Sequence, residues 1–233
     1  MDHENPIIYV KNVRKVYRMG DEEVVALKRI NLRIYKGEVC CIFGTSGSGK
    51  STLLNQLAGM EKPTKGQVFI RGKNISDMNE EELAAFRQEH MSFIFQSYNL
   101  LPSMTAVENV AMPLMFKGMD RKKREAMAEE MLKRVGLSHR LHHYPSQMSG
   151  GQQQRAGIAR AFVSRPEVVF ADEPTGNLDT KTTAEIMDMV MGFARRFNQT
   201  IILVTHDPGM SRYADRIVTL VDGIITGDER KGQ

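Results

Sequence analysis

Apolar and polar residues alternate along "IIYVKNVRKVY" (7–17) and "VVALKRINLRIY" (24–35), the period of half-buried strands, with Gly20-Asp21 as the predicted turn between them. "GEVCCIFG" (37–44) is instead a short unbroken apolar run, as a strand buried on both faces requires. "GQVFIRG" (66–72) and "MSFIFQ" (91–96) predict two more strands. From about 99 to 147 the pattern turns helical and Met-rich, punctuated by Pro102, Pro113 and Pro145. Within that block "DRKKREAMAEEMLKRVG" (120–136) sets Met127, Met131 and Val135 at helical spacing, with Asp120 as the expected N-cap and Gly136 near the helix end. Strands resume at "EVVFADEP" (167–174) and "TIILVTHD" (200–207), so a helical block interrupts an α/β pattern. The tail "GDERKGQ" (227–233) reads as short, polar and frayed.

Chemistry concentrates where these strands end. Gly44-Thr45-Ser46-Gly47-Ser48-Gly49-Lys50-Ser51 fits G-x-x-x-x-G-K-[ST], between a buried strand and the helical "TLLNQLAG". Its glycines let backbone N–H groups converge on phosphate oxygens, and the helix start adds a positive dipole end. Lys50 is expected to reach the β- and γ-phosphates and the Ser51 hydroxyl to ligate Mg2+. The spacing is not G-x-G-x-x-G, which removes the main support for a dinucleotide fold. Asp172 and Glu173 are strand neighbours and point opposite ways, so Asp172 suits the outer shell of Mg2+ and Glu173 a general base. His206 ends the next strand, where open parallel sheets build their sites, and is a candidate γ-phosphate contact and water positioner. Gln96 is able to touch Mg2+ and water, and Tyr17 to stack its ring on an adenine. A second phosphate-binding pattern, Ser149-Gly150-Gly151-Gln152, stands at another expected helix start.

The composition narrows the class. The 233 residues are 41% hydrophobic and 26% charged, ordinary for one globular domain or a domain with a smaller lobe. Apolar runs such as "TIILVT" fall far short of the ~20 residues that cross a bilayer. "MDHENPII" lacks the apolar core of a secretory signal, so a cytosolic chain is expected. Cys40 and Cys41 are adjacent and cannot staple a fold, and both read as buried strand residues. A net charge of +4, without an aromatic-interleaved basic patch, leaves an anionic membrane face or nucleic acid open and implies neither. Seven of the sixteen Met residues lie between Met104 and Met148, as core filler or as a pliable docking face.

Taken in order, these elements resemble an ABC-transporter ATPase subunit across essentially the whole chain. The order is an aromatic loop at Tyr17, a phosphate loop from Gly44 to Thr52, a glutamine loop at Gln96 and the signature Ser149-Gly150-Gly151-Gln152. Asp172-Glu173, a loop ending Leu178-Asp179 and a switch histidine, His206, follow. "FQSYNLLPSMTAVENV" (95–110) and "ADEPTGNLD" (171–179) resemble the MacB/LolD/FtsE-type branch, which serves macrolide export, lipoprotein release and cell division. Met148 stands where the family norm is Leu, a volume-conserving difference.

The resemblance implies a P-loop NTPase: a RecA-like core with an antiparallel β subdomain (about 1–98 and 155–233) and an inserted α-helical subdomain (about 99–154). It implies ATP and Mg2+, with Ser51, Gln96 and Asp172 on the metal and Glu173, His206 and Lys50 catalytic. Tyr17, the phosphate loop, Gln96, the signature and Asp179 would contact nucleotide. It also implies a head-to-tail homodimer and a MacB/FtsX-like permease that holds the chain on the inner face of the membrane, without the C-terminal regulatory domain of some importers and with no nucleic-acid partner. A soluble ABC ATPase or a cell-division scaffold is the alternative.

Overall fold

The computed structural model describes residues 5–231, so the first four residues of "MDHENPII" and the last two of the tail lie outside the described residues. The chain divides into two compact units, Met1–Arg87 with Thr200–Gln233, and Gln88–Gln199.

In the first unit the elements run β1 (Ile8–Met19), β2 (Glu22–Ile34), β3 (Val39–Phe43), α1 (Lys50–Leu57), β4 (Lys65–Ile70), β5 (Lys73–Asn74) and α2 (Glu80–His90), at whose end the chain passes into the second unit. β2, β1, β4 and β5 pair in that order as an antiparallel sheet. Ile8, Val10 and Val13 of β1 are all buried although the last two are three residues apart. A bulge resolves the phase: the register shifts between Val10 and Val13, with Asn12 at φ 51°. α2 went unpredicted, yet its start carries a reciprocal cap. The Asn79 N–H donates to Glu82 Oε2 at 2.9 Å and the Glu82 N–H to Asn79 Oδ1 at 2.9 Å. Leu83 and Phe86 form its buried face.

The second unit contains β6 (Met91–Phe95), α3 (Ala106–Phe116), α4 (Arg121–Arg134), α5 (Gly150–Val163), β7 (Val168–Asp172) and α6 (Thr180–Arg196). β6 and β7 pair in parallel. Thr105 and Glu108 close a capping box on α3, and Asp120 caps α4 by accepting from the Lys122 and Lys123 N–H groups. Pro113, read as punctuation, lies inside α3, in its last turn, where it forgoes the bond an N–H there would have given to the carbonyl of residue 109. Of the seven Met residues in this block, Met131 and Met148 are buried, Met115 is exposed and the other four are half-buried. The block is therefore only partly core filler.

The chain then returns to the first unit with β8 (Thr200–Thr205), β9 (Arg216–Val221) and β10 (Ile224–Arg230). β3 pairs in parallel with both β8 and β9, and β10 runs antiparallel to β9. Cys40 and Cys41 are fully buried on β3; burial raises both thiols, Cys41 to about 11, which makes them inert as nucleophiles. The tail read as frayed is largely β10. Arg216 grips Asp228 as a two-pronged fork, Nε to Oδ1 and Nη2 to Oδ2 at 2.5 Å each, and Nη1 lies 3.5 Å from Glu38 Oε1. The Asp228 hydrogen bond holds the guanidinium above its ordinary pKa against the opposing effect of burial. Asp228→Ala should lower the unfolding free energy by about 1–3 kcal/mol, because it removes the two-pronged partner of a largely buried cation and leaves it only the longer Glu38 contact and the Arg33 carbonyl. Glu229→Ala, on the exposed neighbour, should stay within about 0.5 kcal/mol, with urea titration comparing the two.

Candidate functional site

β3 delivers the chain to the phosphate loop between two parallel partners, β8 and β9, so the loop leaves a strand paired on both sides. Gly47 and Gly49 take φ 80° and 101°, a backbone that turns successive N–H groups inward. A Cβ at Gly49 would also stand 2.7 Å from the Ala26 carbonyl oxygen. α1 begins at Gly49 with no side-chain cap and no acid in its first turn, leaving its N–H groups and dipole for an anion. Lys50 is buried and its Nζ donates to the Thr45 carbonyl at 2.7 Å, which folds the ammonium back over the loop. Among the described residues, Ser48 Oγ is buried without a hydrogen-bond partner. A cationic loop with an orphaned hydroxyl fits phosphate oxygens.

Tyr17, on β1, is held from two sides. Its hydroxyl donates to Glu61 Oε2 at 2.7 Å, and Lys15 Nζ sits 5.1 Å from the ring centroid while pairing with Glu61 at 3.1 Å. Burial and the Glu61 hydrogen bond raise the phenol's pKa, although a bond to Thr52 lowers it, so the hydroxyl stays protonated. Burial pushes Glu61 up, but hydrogen bonds from Tyr17, Lys15 and Asn55 hold it below the ordinary glutamate value. Thr52 thereby joins the aromatic loop to α1. Glu61 and Lys15 carried no local signal in the sequence, since Glu61 reaches Tyr17 across 44 positions. His206 is exposed just beyond β8, and the following Asp207 caps a 3-10 turn by accepting from the Gly209 N–H at 2.8 Å.

Within the second unit, β7 ends at Asp172 and Glu173 follows at φ 43°. A non-glycine residue in the left-handed region costs about 1–3 kcal/mol, and such strain gathers at functional sites. Gln96, just past β6, packs on the loop behind Glu173. Its Nε2 donates to Asn177 Oδ1 at 3.4 Å, Asn177 Nδ2 donates to the Gln96 carbonyl at 3.1 Å, and a Cβ at Gly176 would collide with the Gln96 amide at 2.7 Å. Asn177 was missed from the sequence because this partnership spans 81 positions.

Ser149 is the N-cap of α5. Its Oγ accepts from the Gln152 N–H at 3.3 Å while Gln152 Oε1 accepts from the Ser149 N–H at 3.0 Å. An oxygen that accepts from the backbone keeps its own proton to donate outward. The Gln152 side chain is engaged in the cap. Asp179 likewise caps α6, accepting from the Lys181 and Thr182 N–H groups and from Thr182 Oγ1 at 2.6 Å; the Thr182 bonds hold its carboxyl below the ordinary aspartate value. The two helix starts adjoin, since a Cβ at Gly151 would lie 3.2 Å from Thr182 Cγ2 and Arg155 pairs with Glu185 at 2.7 Å. Among the described residues no group of three or more His, Cys, Asp or Glu could hold a metal on its own. Ser51 in the first unit, and Gln96 and Asp172 in the second, each offer a hard oxygen donor of the kind Mg2+ takes.

Comparison with known proteins agrees with this chemistry. A family model described as ABC transporter matches residues 27–176. An uncharacterized ABC transporter ATP-binding protein of Methanocaldococcus jannaschii is 48% identical over 94% of this chain and 97% of its own length. The macrolide export ATP-binding/permease protein MacB of Shewanella sp. (strain W3-18-1) is 45% identical over 97% of this chain, which spans 35% of that relative's length. A solved dimer of the ATP-binding cassette MJ0796, in a post-hydrolysis state bound to ADP and Pi, superposes with a TM-score of 0.90 at 42% identity, covering 96% of this chain and 98% of that one. With its phosphate loop on the α/β scaffold of those cassettes, the chain belongs to the ABC transporter family, as a P-loop ATPase and ATP-binding subunit.

Proposed function

We propose that two copies of this chain close head to tail on two Mg·ATP, the Ser149–Gln152 segment of each capping the γ-phosphate held by the other's phosphate loop. The start of α5 carries this reading. It is a second anion-binding device in a chain whose own phosphate loop already has a full set of donors. The Ser149 hydroxyl retains its proton, the following N–H groups face the helix mouth, and the dipole adds partial positive charge. Together they do the electrostatic work that other NTPases give to an arginine finger. The solved cassette MJ0796 is itself dimeric with ADP and Pi bound, which supports an assembly of two copies with nucleotide.

In this reading Lys50 and the loop N–H groups bind the β- and γ-phosphates, Tyr17 stacks on the base, and Ser51, Gln96 and Asp172 hold Mg2+. The metal supplies charge neutralisation on the phosphate oxygens. Glu173 accepts a proton from the attacking water as the bond from the γ-phosphorus to the leaving ADP oxygen breaks. His206 orients that water and the γ-phosphate. Asp179 acts through its cap on α6.

Closure with ATP and reopening after hydrolysis would drive a membrane permease of the MacB/FtsX kind, keeping the chain peripheral on the inner face of the membrane. Among the described residues no helix is long and apolar enough to cross a membrane. The docking candidate is the methionine face of α3. Met104, Met112 and Met115 line a groove of about 240 Å³ with Glu108, Arg121 and Arg124, and Phe116 beside it is 61% exposed. A deformable apolar face edged by both charge signs suits a short amphipathic helix of a permease.

Glu173→Gln should keep ATP binding, lower turnover by roughly 10²–10⁴-fold and accumulate an ATP-bound dimer on size exclusion; wild-type turnover would remove the general-base role. Lys50→Ala should weaken ATP binding by about 10–100-fold in a filter-binding titration, and unchanged affinity would refute the phosphate-loop role. Phe116→Glu should leave basal ATPase within about twofold while reducing co-purification with the permease subunit, since a buried Phe contributes about 1.5–3 kcal/mol. Undiminished co-purification would move the docking face elsewhere.

A further inference from the structure

The segment that follows Gln96 turns abruptly. The Tyr98 N–H donates to the Phe95 carbonyl at 3.3 Å and the Asn99 N–H to the Ser97 carbonyl at 2.6 Å. Tyr98 and Asn99 stand at φ 61° and 48°, two consecutive non-glycine residues in the left-handed region, where each costs about 1–2 kcal/mol. Something must hold them there, and Arg160 of α5 does so. Its Nη1 donates to the Asn99 carbonyl at 2.6 Å and its Nη2 to the Tyr98 carbonyl at 2.9 Å. The planar fork of a guanidinium spans two oxygens that a lysine could only take singly. Burial lowers the pKa of Arg160. Both arms of the guanidinium are thus directed at the turn.

Tyr98 meets α5 along its length. Its carbonyl oxygen lies 3.5 Å from where a Cβ on Gly157 would stand, and its hydroxyl 2.8 Å from where one on Gly150 would stand. Positions 150, 157 and 160 share one face of a helix at 3.6 residues per turn. At its far end the same segment is fastened to α3. Asn109, fully buried, accepts from the Leu101 N–H at 2.7 Å and donates to the Leu101 and Met104 carbonyls at 3.1 and 3.0 Å. The turn after Gln96 is thus a strap from α3 to the signature helix, seated against Gly150 at one end of that helix and gripped by Arg160 towards the other.

We infer that Arg160 is a positioning residue for ATP hydrolysis, acting with Tyr98 to make the segment behind Gln96 and the signature start at Ser149 move as one body. A displacement of the Gln96 segment would otherwise be absorbed by relaxation of the turn, and the cap on the partner's γ-phosphate would not follow it. The inference rests on the roles given to Gln96 and Ser149 above, and it adds a residue outside every motif that named them.

The test uses the full chain with Mg·ATP, and reads turnover, ATP affinity in dilute protein, and the ATP-bound dimer in a Glu173→Gln background. Arg160→Ala should lower kcat roughly tenfold, as misplacement of a distant group does, and deplete the dimer, with ATP affinity within about twofold of wild type. Arg160→Lys should recover part of the loss. Wild-type kcat in Arg160→Ala, or ATP affinity falling in step with kcat, would overturn the inference. If Lys50→Ala and Glu173→Gln behave as expected while Arg160→Ala is silent, the strap is wrong and the site reading stands; failure of those two variants would indict the site itself. Should Arg160→Ala not fold, Gly150→Ala probes the other contact. Its Cβ would meet the Tyr98 hydroxyl, so adding Tyr98→Phe, which leaves the nearest ring carbon at 3.6 Å, should restore part of the dimer lost in Gly150→Ala. No gain from the second substitution would break the link at its signature end.

Discussion

A loop can grip phosphate only if several backbone N–H groups point into one small volume, and an L-residue backbone resists that arrangement. Gly47 and Gly49 supply the left-handed turns, and β3, paired on both sides, supplies a base that does not yield. Folding the loop leaves α1 uncapped, the Lys50 ammonium folded inward and Ser48 Oγ buried without a partner among the described residues. Each costs free energy by itself, and under the proposed function each would become a contact to phosphate. The rest of the first unit reads as support for that bargain, from the Tyr17–Glu61–Lys15 group beside α1 to the Arg216–Asp228 fork that secures β9 through β10.

The second unit solves a different problem with the same backbone physics. Under the proposed head-to-tail dimer, a helix start that acts on another molecule's phosphate has to stay open without leaving its end unsatisfied. The Ser149–Gln152 capping box does both, because it satisfies one N–H with an oxygen that still has a proton to give. Asp179 repeats the device on α6, next to it. Glu173 in its left-handed conformation and the Gln96 amide against Gly176 complete a set of side chains held by loop geometry rather than by the strands themselves.

What the sequence made legible follows from how local each signal is. The phosphate loop, the acidic end of β7, the Asp120 cap and the buried β3 each rest on residues within a few positions of one another. α2 was equally local, with Asn79 three residues before Glu82, but its charge-rich start masked the pattern. β10 was misread because its polar residues suggested a free tail, while its reason to be ordered, the Arg216 fork, lies on another strand. Arg160, Asn177 and Glu61 left no trace in the sequence, since their partners stand 62, 81 and 44 positions away.

The distribution of sulfur has its own consequence. Both thiols are sealed in β3 and driven away from the thiolate form, so peroxide finds little reactive cysteine in the first unit. The thioethers that solvent reaches include Met60, just past α1, and Met115 on α3, with Met104 and Met112 half-buried in the groove beside Met115. Oxidation would turn these soft apolar groups into polar sulfoxides. Oxidative chemistry on this chain would thus be written in methionine rather than cysteine, at Met60 behind α1 and along the α3 groove, as a change of polarity rather than a cross-link.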